Sequence, residues 1–127
     1  MNMPGTGKGY RTIERDGWEI LVGKGAHDND ELSTKIAEPL DYWFHVDDYS
    51  GSHVIIRCPG GIEPPHEIVL YAATLAAWHS KARGAGGKVE VHQCLAGDVR
   101  KPRGYEPGKV QIKNWVPIKV YVRDPDA

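Results

Sequence analysis

The chain has 127 residues, 40% hydrophobic and 26% charged, with a net charge of −1, which suits one globular domain with a buried core and is too short for two. Two isolated cysteines, Cys58 and Cys94, exclude a disulfide scaffold or a paired-cysteine zinc module and fit a reducing, cytoplasmic setting. No window approaches the roughly 18 apolar residues of a membrane span, and the N-terminus lacks a signal-peptide core, so a soluble protein with no membrane partner is expected.

The first nine residues are Gly-rich and polar and read as a loose arm, leaving residues 10–127 as the domain. GTGKG within the arm lacks the preceding strand and the Lys-Ser/Thr entry into a helix that make a phosphate loop. From Tyr10 to Val22, two short β runs flank Asp16-Gly17, a dipeptide suited to a type I′ hairpin turn. Asp28, with Glu31 three residues on, predicts a capping box and a helix over Asn29–Ala37 stopped by Pro39.

Tyr42–Val46 and His53–Cys58 are aromatic and β-branched runs separated by the tight turn DDYSGS, and they predict a central strand pair. The run HEIVLYAATLAAWHSKAR is alanine-rich and apolar over most of its circumference, with Pro65 before it and Gly84 placed for an αL cap after it. It predicts the main helix. KVEVHQCLA alternates as a strand, with Val89, Val91 and Gln93 on one side and Glu90, His92 and Cys94 on the other. GDVRKPRGYEPGKV reads as an extended basic loop, and one or two last strands place Val116, Ile118, Val120 and Val122 on one face. The predicted class is α+β (mixed α/β): a single domain with a central, mostly antiparallel sheet carrying one long alanine-rich helix and one short helix.

Charge is unevenly spread. Residues 1–78 sum to −6 and residues 79–123 to +7, pointing to one basic surface. Arg100, Lys101, Arg103, Lys109 and Lys113 are candidates for phosphate contacts, and Tyr105, Trp43 and Tyr49 for base stacking. Six histidines raise a competing metal reading in which His45 and His53 approach across the hairpin and Asp41 or Asp47 adds an oxygen. No HxH, HExxH or CxxC spacing supports it, so neither a metal nor a cofactor is expected. Cys94 with His92, or Ser52 with His53, is the nearest approach to a nucleophile and base, and neither pair brings an oxyanion hole.

Four ordered motifs carry a resemblance. The segment DGWEILVGKGAHDNDELSTKIAEPLDYWFHVDDYSGSHVII, the alanine-rich helix ending HSKAR, and VRKPRGYEPGKV together resemble the NFACT-R domain over about Arg11 to Arg123. That resemblance implies a non-catalytic RNA-binding module, with structured RNA such as tRNA or rRNA, and the large ribosomal subunit in ribosome-associated quality control, as partners. Residue by residue, its Asp-x-Trp-x-His falls on Asp41, Trp43 and His45, its Gly-Ser-His on Gly51, Ser52 and His53, and its Lys-Pro on Lys101 and Pro102. Three roles follow as expectations: Asp41 orients His45 or His53, Trp43 packs or stacks, and the basic loop (Arg100, Lys101, Arg103, Tyr105, Lys109) holds phosphates. The alternatives are a small enzyme using Asp41, His45 and His53 on a nucleotide or nucleic-acid substrate, and a protein-interaction module using the acidic half. The accessory modules of larger relatives do not fit within 127 residues.

Overall fold

Asp16 and Gly17 both take positive φ, 51° and 85°, the geometry of a type I′ turn, and the hairpin they close begins the sheet in a computed structural model that describes residues 8–127. The arm and GTGKG fall largely outside the described residues. β1 (Tyr10–Arg15) pairs with β2 (Trp18–Gly23), β2 with β4 (Val54–Ile56), β4 with β3 (Tyr42–Val46), β3 with β5 (Lys88–Leu95) and β5 with β8 (Val116–Tyr121). Every one of these pairings is antiparallel, in the order β1-β2-β4-β3-β5-β8. A small ribbon of β6 (Val99–Arg100) and β7 (Gln111–Ile112) lies apart from it. The fold is α+β, as predicted, and the aromatic and β-branched pair β3/β4 sits at the centre because both of its faces are covered.

One face packs on α2 (His66–Trp78), where Ala72, Ala73, Ala76 and Ala77 are fully buried and meet Ile20, Val22, Phe44, Val54, Ile56 and Val91. Small side chains on four such positions let the helix backbone approach the sheet closely. The other face carries Leu21, Trp43, Ile55 and Cys94 against Leu32, with Ile36, Val99 and Ile112 packed at its margin. The alternation read in β5 therefore holds: Val91 faces α2 and Cys94 the opposite core. No helix among the described residues is long and apolar enough to cross a membrane.

Three expectations need correction. The first helix, α1 (Ala26–Glu31), begins three residues earlier than predicted, with Gly25 as its N-cap and Asp28 inside the first turn. The capping box from Asp28 is not formed, because Asp28 is already a helical residue and no longer the N-cap; its carboxylate lies against Gly9, where a Cβ would stand 2.1 Å from Oδ1. α1 then widens into a π-helical turn over Leu32–Ile36, which carries Leu32 and Ser33 inward. The long helix stops at Trp78, short of Arg83, and Gly84 is not in the αL region. Its end is diverted by the β3–β4 connection: Ser52 N donates to His79 O (2.9 Å), Lys81 N donates to Ser50 O (2.8 Å), and Ser80 Oγ caps a 3-10 turn at Ala82. DDYSGS is thus an extended connection moored to α2 and not a tight turn. Gly51 is required there, since a Cβ would meet that of Ser80 at 2.4 Å.

Candidate nucleic-acid interface

Where the β3–β4 connection, the start of α1, the end of α2 and the loop before β7 converge, they enclose an open cleft of about 1070 Å³. Trp43, His45, Gly51, Ser52, His53 and Lys109, six of the residues singled out in the sequence, line it. Strand alternation places Trp43 and His45 on the same sheet face, and His53 joins them from the end of the connection. The rings lie close: Trp43 to His53 is 5.1 Å and His45 to His53 is 5.3 Å between centroids, both edge-on. His92 stands opposite His45 in the β3–β5 register and extends the row to three imidazoles.

The floor is a hydrogen-bonded hub. Trp43 Nε1–H donates to Ser33 Oγ (2.8 Å), and Ser33 Oγ bonds His53 Nδ1 (2.7 Å). Asn29 Oδ1 accepts from His53 N (3.0 Å), while Asn29 Nδ2 donates to Gly51 O (3.2 Å). Ser52 Oγ donates to Gly23 O (2.6 Å) and is not directed at His53. Burial, reinforced by their mutual proximity, pushes the His53 pKa down to about 3. Burial, with a contribution from His92, pushes that of His45 down to about 4. Both imidazoles are neutral at pH 7; His45 is half-buried at the cleft floor as an uncharged hydrogen-bonding group, whereas His53 is buried beneath it with Nδ1 held by Ser33.

A pH dependence follows from His53. Its folded-state pKa lies below the ordinary value near 6.5, so the unfolded chain takes up the proton first. The associated stability is complete above pH ~6.5 and is lost as pH falls towards 3, by about 2 kcal/mol between pH 7 and pH 5. Urea unfolding as a function of pH measures this, and His53→Asn, which keeps a partner for Ser33, should flatten the slope by about one proton. An unchanged slope in that variant would place the titration elsewhere.

Asp41 is not part of the cleft. Its carboxylate accepts from Cys58 N (2.8 Å) and Glu38 N (2.9 Å) and pairs with Arg57 Nη1 (3.3 Å). The expectation that it orients a histidine is therefore overturned: Asp41 precedes β3 and its side chain clamps the end of β4. The Asp41/His45/His53 constellation on which the small-enzyme reading depended is not assembled. Cys94 offers no nucleophile either, being buried with its thiol pushed up to about 12 by desolvation.

The basic loop divides. Lys101 is committed to structure: its Nζ pairs with Asp30 Oδ2 (3.2 Å) and donates to Lys109 O (2.7 Å) and Glu106 O. Asp30 Oδ1 in turn accepts from Gly108 N (3.1 Å), which ties the loop to α1. Tyr105 accepts from Gln111 Nε2 (2.8 Å), with Lys109 Nζ 5.8 Å from its ring centroid. Arg100 and Arg103 are exposed and lie outside the cleft lining. In their place the cleft rim holds Arg11, Lys24, Lys81 and Arg83. Arg83 is preorganised, its Nε donating to Trp78 O (2.8 Å) and its guanidinium 4.0 Å from the Trp78 ring centroid. Sequence reading missed these cations as a group because they come from β1, the β2–α1 connection and the turn after α2, which share no sequence neighbourhood. HSKAR, already part of the family resemblance, was the signal available for Lys81 and Arg83.

Comparison with known proteins agrees with this architecture. Residues 8–114 match the NFACT protein RNA binding domain. The chain is 42% identical over 94 residues to the Rqc2 homolog RqcH of Bacillus subtilis, covering 74% of this chain and 16% of that protein. It is 40% identical over 114 residues to the Rqc2 homolog RqcH of Streptococcus suis, covering 89% and 20%. It is 39% identical over 104 residues to coiled-coil domain-containing protein 25 of Danio rerio, covering 80% and 50%. The chain thus spans a fifth or less of the RqcH relatives. The solved C-terminal part of the fibronectin/fibrinogen-binding protein from Streptococcus suis superposes with a TM-score of 0.83 at 36% identity, over 98% of this chain and 49% of that one. With the match extending from β1 to the connection before β8, the chain belongs to the NFACT RNA-binding domain family.

Proposed function

We propose that this domain binds RNA in the cleft and acts without catalysis, on structured RNA such as tRNA or rRNA at the large ribosomal subunit, in ribosome-associated quality control in the cytoplasm. The observation that carries this reading is the pairing of a cationic rim, Arg11, Lys24, Lys81, Arg83 and Lys109, with a polar floor of uncharged imidazoles. Lysine and arginine at the rim meet phosphates, and neutral His45 beneath them, set in place by the buried His53, offers a hydrogen bond to a 2′-hydroxyl or a base edge. Tyr49, exposed at the rim, supplies a ring for stacking. Lys101 holds the loop in place, while Arg100 and Arg103 extend the track beyond the cleft. Membership of an RNA-binding family and similarity to proteins named as Rqc2 homologs support the choice of ligand.

The test is fluorescence anisotropy with tRNA and with a ribosomal RNA fragment between about 50 and 200 mM salt. Affinity should fall steeply with salt. Lys81→Glu and Arg83→Glu should each weaken binding about tenfold and lower the salt slope by about one. Arg103→Glu should do less. A salt-independent affinity, or reversals at Lys81 and Arg83 without effect, would refute the cleft as the binding surface.

A further inference from the structure

Beside the imidazole row, Asp47, Glu90 and His92 bring one carboxylate oxygen each and an imidazole nitrogen within 4.8 Å of one another. We propose that this trio is a binding site for a divalent transition-metal ion of the Zn²⁺ class. Of the ligands that the sequence raised it keeps only Asp47, since Asp41 points elsewhere and His53 is engaged by Ser33.

The two strands hold the ligands in fixed relation. Asp47 follows β3 directly and its backbone N donates to Glu90 O (2.9 Å), so the two carboxylates project from a locked pair of chains. His92, two residues beyond Glu90 on β5, shares its face. Its ring is clamped by Trp115, stacked with centroids 4.0 Å apart and planes at 24°. His92 Nε2 lies 2.9 Å from Glu90 Oε2 and 3.8 Å from Asp47 Oδ1.

Charge supports an ion at this point. Two carboxylates converge, and the contacts they make with a basic side chain among the described residues are both with His92. Lys119 stands opposite Glu90 in the β5–β8 register without pairing to it. A cation between the two oxygens removes their repulsion and replaces the His92–Glu90 hydrogen bond with two coordinate bonds. Bonds of about 2.1 Å in a tetrahedral site set ligand atoms roughly 3.4 Å apart. The side chains are 17% (His92), 32% (Glu90) and 38% (Asp47) exposed, leaving room for the small rotation required. Three protein ligands leave a position open to water or a phosphate oxygen. One imidazole with two carboxylates selects Zn²⁺ or Mn²⁺ over the hard cations Mg²⁺ and Ca²⁺, which take all-oxygen shells.

This inference is independent of RNA binding and is tested without RNA. The metal-free full chain is titrated at pH 7 by calorimetry with Zn²⁺ and, separately, Mg²⁺, while tryptophan emission reports on Trp115. Zn²⁺ should bind at one equivalent and Mg²⁺ about a hundredfold more weakly. Glu90→Gln and Asp47→Asn should each weaken Zn²⁺ about tenfold or more, and His92→Ala should abolish the site. If His92→Ala fails to fold, the two isosteric variants decide. No Zn²⁺ uptake, equal affinity for Mg²⁺, or uptake unchanged in Glu90→Gln and Asp47→Asn would overturn the proposal.

Discussion

Asp41→Ala should lower stability by about 3–5 kcal/mol, a large share of what a domain of this size possesses. Asp41 is 2% exposed and Cys58 3%, so the Cys58 amide cannot turn to water instead. Removing its carboxylate leaves the amides of Cys58 and Glu38 without acceptors, at about 1–3 kcal/mol each. Arg57 loses its buried partner but keeps Ile36 O (2.8 Å) and the more exposed Glu19 (3.8 Å), which limits that part of the loss. Asp41→Asn retains one acceptor oxygen and should fall between wild type and alanine. Urea unfolding with an unchanged m-value reads the effect directly. A loss below about 1 kcal/mol would mean that water replaces the carboxylate. RNA affinity of the folded fraction should not change, which separates Asp41 from the residues of the cleft.

Trp43→Ala should cost a similar amount, about 3–5 kcal/mol, for a different reason. The indole is 2% exposed and fills the core between Leu21, Leu32, Ile55 and Cys94. Its loss opens a cavity and strips Ser33 of a donor. Trp43→Phe keeps most of the volume and should cost about 1 kcal/mol for the missing hydrogen bond, plus the smaller ring. RNA binding separates the two roles considered for this side chain. If Trp43 packs, Trp43→Phe retains affinity; if it stacks on a base, Trp43→Ala weakens binding about tenfold or more with stability changed by less than 1 kcal/mol. Burial beneath the Ser33–His53 pair favours the first outcome.

Asp41 and Trp43 show where reading the sequence reaches its limit. Both belong to one sequence motif, and β3 follows directly from the alternation of YWFHV. Side-chain direction does not follow from it. Asp41 lies one residue before the strand, so its orientation is set by which backbone amides lack partners nearby, those of Glu38 and Cys58. Trp43 and His45 do share a face, as strand periodicity requires, but how deeply Trp43 is buried depends on the π-helical turn that lowers Ser33 onto it. A capping-box pattern cannot reveal that turn. The same holds for Lys101, which reads as a free phosphate ligand in a basic loop until Asp30 is seen to face it.

The local patterns of the sequence were sufficient for the Asp-Gly hairpin, the central β3/β4 pair, the alanine-rich helix laid on one face and the α+β class, because period-two and helical apolar repeats act over a few residues. Tertiary structure alone decided the rest: the helix ending at Trp78 where Ser80 meets Gly51, the rim that gathers Arg11, Lys24, Lys81 and Arg83, and the meeting of Asp47, Glu90 and His92. Each joins residues distant in the chain, and the joining depends on sheet order and on which backbone groups need partners, neither of which is carried by any short stretch of sequence.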